Sequence, residues 1–157
     1  GRHTCALLAT FEIKCWGNGQ GGRLGYGSQD DIGNQDGEMG DNLPTVDLGS
    51  NTATAIAVGS YYTCALLATG GVKCWGYNYY GQLGYDNAIN VGDGSGTAMS
   101  NLGTVNLGEG RTAVALAAGE HHTCGLLDTG GIKCWGQATQ GMSMTIGLGY
   151  DSTTNAG

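Results

Sequence analysis

Six cysteines are the residues best placed to do chemistry in this sequence, and they fall into three pairs of one spacing: Cys5 and Cys15, Cys64 and Cys74, Cys124 and Cys134. Each pair sits in one phrase, Thr-Cys-x-Leu-Leu followed by Lys-Cys-Trp-Gly, at Thr4 to Gly17, Thr63 to Gly76 and Thr123 to Gly136. Three chemistries suit paired cysteines: a disulfide, a zinc site, or reduced thiols packed as small apolar groups. Zinc fits poorly, because nine residues separate each pair and no Cys-x-x-Cys occurs. His3 and His122 lie two residues before a cysteine, but Tyr62 holds that place in the middle copy.

The flanking residues favour the disulfide. Thr69 is the midpoint between Cys64 and Cys74, so a three-residue loop, Ala68-Thr69-Gly70, sets the two cysteines directly opposite each other. Glycine in the third loop position suits the left-handed residue of a bulged hairpin. Opposed residues of an antiparallel pair have Cα atoms near the spacing that a disulfide requires. The expected bonds are Cys5–Cys15, Cys64–Cys74 and Cys124–Cys134, each contributing roughly 3 kcal/mol through loop entropy. Such bonds point to an oxidising compartment. The first hairpin departs from the pattern: Phe11 and Glu12 stand where the second has Gly70 and Gly71.

Corresponding cysteines recur after 59 and then 60 residues. A period of that size marks stacked supersecondary units. We divide the chain into a partial first unit (1–44, a hairpin plus a long loop), a complete second (45–103) and a third with a shortened loop (104–157). The second unit reads as four strand-length runs punctuated by glycine: Thr45 to Gly49, Ala53 to Gly59, Thr63 to Leu67 and Val72 to Trp75. Thr104 to Gly108 and the runs after it repeat the set. None has helical spacing. The fold class expected is all-β, with four-stranded antiparallel blades of a β-propeller or an open β-repeat array that this segment leaves incomplete. The alternating alanines Ala53, Ala55 and Ala57 suit the crowded strand nearest a propeller axis. Trp16, Trp75 and Trp135 share one repeat position, which assigns them to blade-to-blade packing.

Composition narrows the function. The chain has 32 glycines, one proline and a net charge of −7. Its six basic residues are scattered singly, whereas nucleic-acid surfaces cluster Lys and Arg. We expect no nucleic-acid partner and no membrane span. No catalytic triad, phosphate loop or helix-borne metal pair is recognisable, so no enzyme activity is expected. The long loops after Leu24-Gly25-Tyr26 and Leu83-Gly84-Tyr85 are rich in side-chain oxygens. Asp31, Asn34, Asp36, Asn90 and Asp93 are calcium candidates there, set against a default reading of solvated acidic loops. No other cofactor is expected.

The phrases Ala57-Val58-Gly59-Ser60-Tyr61-Tyr62-Thr63-Cys64-Ala65-Leu66-Leu67, Gly71 to Gly76 and Gly81-Gln82-Leu83-Gly84 resemble repeats of the regulator-of-chromosome-condensation family. That resemblance implies seven-bladed β-propeller architecture. The doubled cysteine and long linkers are similar to its secreted-type branch. The founding member is an exchange factor for a small nuclear GTPase, but no basic tail or wedge-like insertion appears here, and fold by itself does not transmit function.

The function expected is therefore a non-enzymatic extracellular or cell-surface repeat protein, a structural or adhesive scaffold. Its partners would be adjacent repeats of a longer chain or copies of itself, in the latter case extending into a fibre through open repeat ends. The alternative is a propeller module that binds a protein partner, in the manner of a GTPase regulator, within a larger protein.

Overall fold

The computed structural model describes residues 2–96 and 98–137 and the backbone of 150–151. Among these residues nine strands follow one another: β1 (His3–Leu7), β2 (Ile13–Gly17), β3 (Ala53–Val58), β4 (Tyr62–Leu67), β5 (Val72–Gly76), β6 (Ala113–Ala118), β7 (His122–Leu127), β8 (Ile132–Gly136) and β9 (Tyr150–Asp151). They form three antiparallel sheets, β1-β2, β3-β4-β5 and β6-β7-β8-β9, one per repeat. We call them blades 1, 2 and 3. The all-β expectation holds. The far end of the third unit, 138–149 and 152–157, lies outside the described residues, as does Thr97 of the second loop.

Each cysteine phrase folds as a hairpin in the expected register. Cys5 pairs with Cys15, Cys64 with Cys74 and Cys124 with Cys134. In the middle hairpin the Gly70 amide bonds the Leu67 carbonyl at 2.9 Å, and Gly70 has φ +79°. Phe11 occupies the same left-handed position with φ +65°, and its amide bonds the Leu8 carbonyl at 2.9 Å. The first turn therefore keeps its shape despite the missing glycine. Strand pairing on both sides imposes a conformation that an L-residue adopts at a cost of roughly 1–2 kcal/mol.

The strand reading needs one correction. Thr45 to Gly49 and Thr104 to Gly108 are not regular strands. The Val46 amide bonds the Ile13 carbonyl at 2.8 Å, and the Val105 amide bonds the Val72 carbonyl at 2.8 Å. Each segment lies along the outer edge of the preceding blade's hairpin, not at the start of its own. Earlier in each long loop, Ile32 bridges Gly17 and Val91 bridges Gly76. Only the two ends of the loop meet the edge, so a continuous ladder never forms. The alternating pattern of Thr45 to Leu48 arises from insertion between blades: Val46 and Leu48 are buried while Thr45 and Asp47 are exposed.

Two hydrophobic cores lie between successive blades. The first joins Ile13 and Cys15 of blade 1 to Ala65, Leu67 and Trp75 of blade 2, with Val46 and Leu48 from the connecting segment. The second joins Tyr62, Cys64, Leu66, Val72 and Cys74 of blade 2 to Leu127 and Trp135 of blade 3, with Val105 and Leu107. Strand alternation produces this division, since neighbouring side chains point to opposite faces. The leading face of blade 2 carries Ala65, Leu67 and Trp75. Its trailing face carries Tyr62, Cys64, Leu66, Val72 and Cys74. Both faces are covered, so every residue of β4 and β5 is buried.

Candidate functional site: the paired blade faces

The threonine before each first cysteine and the ring two residues before that cysteine form a contact that crosses the blade boundary. His3 Nε2 of blade 1 lies 2.8 Å from Thr63 Oγ1 of blade 2. One repeat later, Thr123 Oγ1 of blade 3 lies 3.0 Å from Tyr62 Oη of blade 2. Each threonine also donates to a carbonyl of the preceding blade's loop, Thr63 to Arg23 at 3.1 Å and Thr123 to Gln82 at 2.9 Å. Tyr62 Oη donates to the His122 carbonyl. A buried hydroxyl without such partners would cost desolvation energy, so these bonds fix how one blade sits on the next.

Burial tunes the rings. Removal from water, and then the neighbouring Arg23 guanidinium, bring His3 down to about 4, so the imidazole is neutral at pH 7. Burial pushes the Tyr62 phenol up to about 12, against the Thr123 hydrogen bond. Arg23 is itself buried. Its Nε donates to the Gln20 carbonyl at 2.6 Å and its guanidinium lies 5.2 Å from the centre of the Tyr61 ring.

Trp75 and Trp135 sit where packing was expected, each against the glycine of a Leu-Gly-Tyr phrase from the preceding blade. A Cβ at Gly25 would lie 2.7 Å from Trp75 Nε1, and one at Gly84 would lie 2.8 Å from Trp135 Nε1. Both glycines have φ +80°. The following tyrosine turns back onto its own blade. Tyr26 Oη accepts from the Cys15 amide at 2.8 Å and lies 2.9 Å from the Cys15 carbonyl. Tyr85 Oη accepts from the Cys74 amide at 2.8 Å and donates to the Cys74 carbonyl at 3.1 Å. Sequence reasoning saw these phrases only as loop starts. Their recurrence at the cysteine period was the available signal. Trp16, on the leading face of blade 1, is half-buried and has no preceding blade against it among the described residues.

All six cysteines are bonded as expected: Cys5–Cys15, Cys64–Cys74 and Cys124–Cys134. The bonds lie on trailing faces. Cys15, Cys64 and Cys74 are fully buried in the two cores, whereas Cys124 and Cys134 are half-buried and belong to neither.

The calcium candidates hydrogen-bond within their own loops. Asp31 Oδ1 accepts from Asn18 Nδ2 at 2.8 Å and the Gly19 amide at 2.9 Å, and Asn90 Oδ1 accepts from the Asn78 amide at 3.0 Å. Asp93 Oδ1 accepts from the Ser95 amide and hydroxyl; burial raises the carboxyl, but these bonds outweigh it and leave it lowered. The Asn34 amide donates to Glu38, and Asp36 is exposed. Among the described residues no three His, Cys, Asp or Glu side chains converge on a point that could hold a metal. These side chains shape turns of their own loops.

A second surface was not anticipated. Tyr61, Tyr77, Tyr79, Tyr80 and His121 gather from three separate turns. The Tyr61 and His121 rings stack at 5.5 Å, Tyr80 lies 4.7 Å from His121, and Tyr79, 63 % exposed, meets Tyr80 edge-on at 5.1 Å. Only adjacency of blades 2 and 3 puts them together.

Profiles of the regulator of chromosome condensation (RCC1) repeat match residues 15–66, 53–82 and 113–141, together more than half of the chain. The chain belongs to the RCC1 repeat family. It is 31 % identical over 141 residues to the human E3 ubiquitin-protein ligase HERC2, covering 90 % of this chain and 3 % of that protein. It is 31 % identical over 136 residues to the protein pim1 of Schizosaccharomyces pombe, covering 86 % of this chain and 23 % of that one. Among solved structures it is similar to human WBSCR16 (TM-score 0.71, 16 % identity, 96 % of this chain, 37 % of that one). It is also similar to yeast RCC1 (Prp20) in its complex with Kap60 (TM-score 0.68, 20 % identity, 98 % and 36 %). The ectodomain of the Arabidopsis thaliana receptor kinase ACR4 matches at TM-score 0.52 and 17 % identity over 86 % of this chain and 36 % of that one. The RCC1 repeats described here thus span less than a quarter of those two curated relatives and little more than a third of the solved propellers. Among the described residues no helix is long and apolar enough to cross a membrane.

Proposed function

We propose that these repeats are a disulfide-stapled, non-enzymatic docking scaffold that works in an oxidising setting, outside the cell or at its surface. The observation that carries this reading is the placement of the cysteines: all three repeats carry a disulfide at one hairpin register, and those of blades 1 and 2 are packed against the next blade. A cytosolic repeat protein has no use for three such bonds, because reducing thiol pools keep cysteines open there. The doubled cysteine supports a secreted-type branch of the family. The scaffold role follows from faces that bond blade to blade and can equally accept a further repeat or another copy.

The aromatic cluster around Tyr79 and His121 favours a second reading, a module that binds a protein partner. Exposed tyrosines at a rigid rim are the residues that interfaces enrich.

Mass spectrometry of native material, alkylated before any reduction, tests the first reading. Three intact pairs support it, and alkylated free cysteines at all six positions would sink it. An interaction screen with the Tyr79→Ser and Tyr80→Ser variants tests the second: a partner whose capture survives both changes does not use this rim.

A further inference from the structure

Five aromatic rings from blades 2 and 3 close into a circuit at one end of the molecule. Tyr61 lies 6.3 Å from Tyr77, Tyr77 lies 6.3 Å from Tyr79, and Tyr79 lies 5.1 Å from Tyr80, centroid to centroid. Tyr80 then lies 4.7 Å from His121, which returns to Tyr61 at 5.5 Å. Tyr79 is 63 % exposed and the other four rings are half-buried, so the circuit offers ring surface to solvent from a fixed base. Asn78 fixes that base. It is fully buried; its Oδ1 accepts from the Leu83 amide at 2.9 Å, and its Nδ2 donates to the carbonyls of Asn87 at 2.9 Å and Ile89 at 3.1 Å. The Tyr77–Tyr80 turn cannot rearrange without breaking these bonds, so its rings engage a ligand at little cost in ordering.

The circuit already accommodates one cation of this chain. The Arg23 guanidinium carbon lies 5.2 Å from the Tyr61 centroid. Tyr79 and Tyr80, on the outer side, have no such cation against them among the described residues. Beside them stands a free counter-charge: the Glu120 side chain is 69 % exposed, and its Oε1 lies 3.7 Å from His121 Nε2. The cations of blades 2 and 3 are engaged elsewhere. Lys73 is buried against the Leu48 carbonyl, Lys133 reaches the Asn106 carbonyl and Arg111 pairs with Asp128. Electron-rich ring faces and an exposed carboxylate are the two halves of a guanidinium site.

We infer that this patch receives an arginine side chain of a protein partner, its guanidinium over Tyr79 and Tyr80 and paired with Glu120. A guanidinium is planar and more weakly hydrated than an ammonium, so it stacks on rings where lysine stays in water. The net charge of −7 draws such a partner in. The inference rests on the partner-binding reading and names the chemistry of the partner.

The probe is a glycine-flanked arginine pentapeptide, blocked at both ends, titrated into the intact oxidised chain and followed by backbone amide chemical shifts. Saturable binding in the millimolar range or tighter is expected, with shifts centred on Tyr79, Tyr80 and His121. Tyr79→Ser and Glu120→Gln are each expected to weaken it about tenfold. Both side chains are exposed, and circular dichroism verifies that the variants keep the fold. Glu109→Gln removes another exposed carboxylate, before the start of β6 rather than after its end, and is expected to leave binding unchanged. A citrulline peptide, which keeps the shape without the charge, is expected not to bind, and a lysine peptide to bind several-fold more weakly. No saturation by about 10 mM overturns the inference. So does equal binding of the citrulline or lysine peptide, or an equal loss in Glu109→Gln. A failed peptide, together with a protein partner whose capture is lost in Tyr79→Ser, removes this inference and leaves the partner-binding reading standing. A partner kept by both tyrosine variants removes the two together.

Discussion

His3 Nε2 lies 2.8 Å from Thr63 Oγ1, across 60 residues of chain and one blade boundary. The same hydroxyl reaches the Arg23 carbonyl at 3.1 Å, so one buried threonine ties two elements of blade 1 to blade 2. Thr63→Val keeps the shape and removes the oxygen, leaving a ring nitrogen and a carbonyl unpaired. The expected loss is about 1–3 kcal/mol in denaturant-midpoint measurements. Thr4→Val, at the exposed equivalent in blade 1, is expected to stay within about 0.5 kcal/mol of the parent.

That histidine makes stability pH-dependent in a defined window. Its folded value is about 4 against an ordinary 6.5, so between these limits the unfolded chain binds more protons than the folded one. Stability is therefore full above pH 6.5, falls as pH drops toward 4, and gains no further cost from this group below that. Partial exposure of the site to solvent holds the effect to roughly 2 kcal/mol. His3→Gln is expected to flatten the fall in melting temperature across that window. An unchanged slope would assign it to other groups.

The three disulfides are expected to open in order. Cys124 and Cys134 are both half-buried, Cys5 is half-buried but bonded to the fully buried Cys15, and Cys64 and Cys74 are both fully buried between blades. Limited reduction followed by alkylation and peptide mapping is expected to label Cys124 and Cys134 first. The Cys5–Cys15 pair should follow, and Cys64–Cys74 should react only with blade separation, since reagents reach buried sulfur through local opening.

Phe11 and Gly70 share a turn position, and the two residues suit it unequally. Phe11→Gly is expected to stabilise by about 1 kcal/mol, because Phe11 holds φ +65° with its side chain 56 % exposed and contributes little packing in return. A melting curve that shifts downward would show that the exposed ring supports the hairpin.

Gly25 and Gly27 separate strain from crowding. Both have positive φ, +80° and +72°, but a Cβ at Gly25 meets Trp75 Nε1 at 2.7 Å while one at Gly27 meets nothing within 4 Å. Gly27→Ala is expected to cost about 1 kcal/mol of backbone strain. Gly25→Ala adds an overpacking cost of about 1–3 kcal/mol, and loss of tryptophan fluorescence anisotropy would report the displaced indole.

Much of the fold was legible because its determinants are local. The cysteine spacing sets the hairpin register, glycine at position 70 marks the left-handed turn residue, and recurrence of the phrase makes the array. The outer strand was misread for a local reason too. Thr45 to Leu48 alternates as a strand does, but its alternation records insertion between blades, with the one bond from Val46 to Ile13 placing it on the preceding hairpin. The acidic loops suggest a cation site by composition; in the structure Asp31, Asn90 and Asp93 each accept from a neighbouring turn amide.

From the residues themselves came the period, read by comparing repeats, and the hairpins, the disulfide partners and the packing role of the tryptophans, which are properties of chain segments shorter than one repeat. Tertiary structure decided which faces meet. The pairing of His3 with Thr63, of Trp75 with Gly25, and of Tyr61 with His121 joins residues separated by about one repeat or, for Trp75, by 50 positions. Such contacts depend on the angle and order in which blades stack, and that geometry is set by side-chain volume and hydrogen-bond satisfaction at the interface, not by the pattern of any single strand.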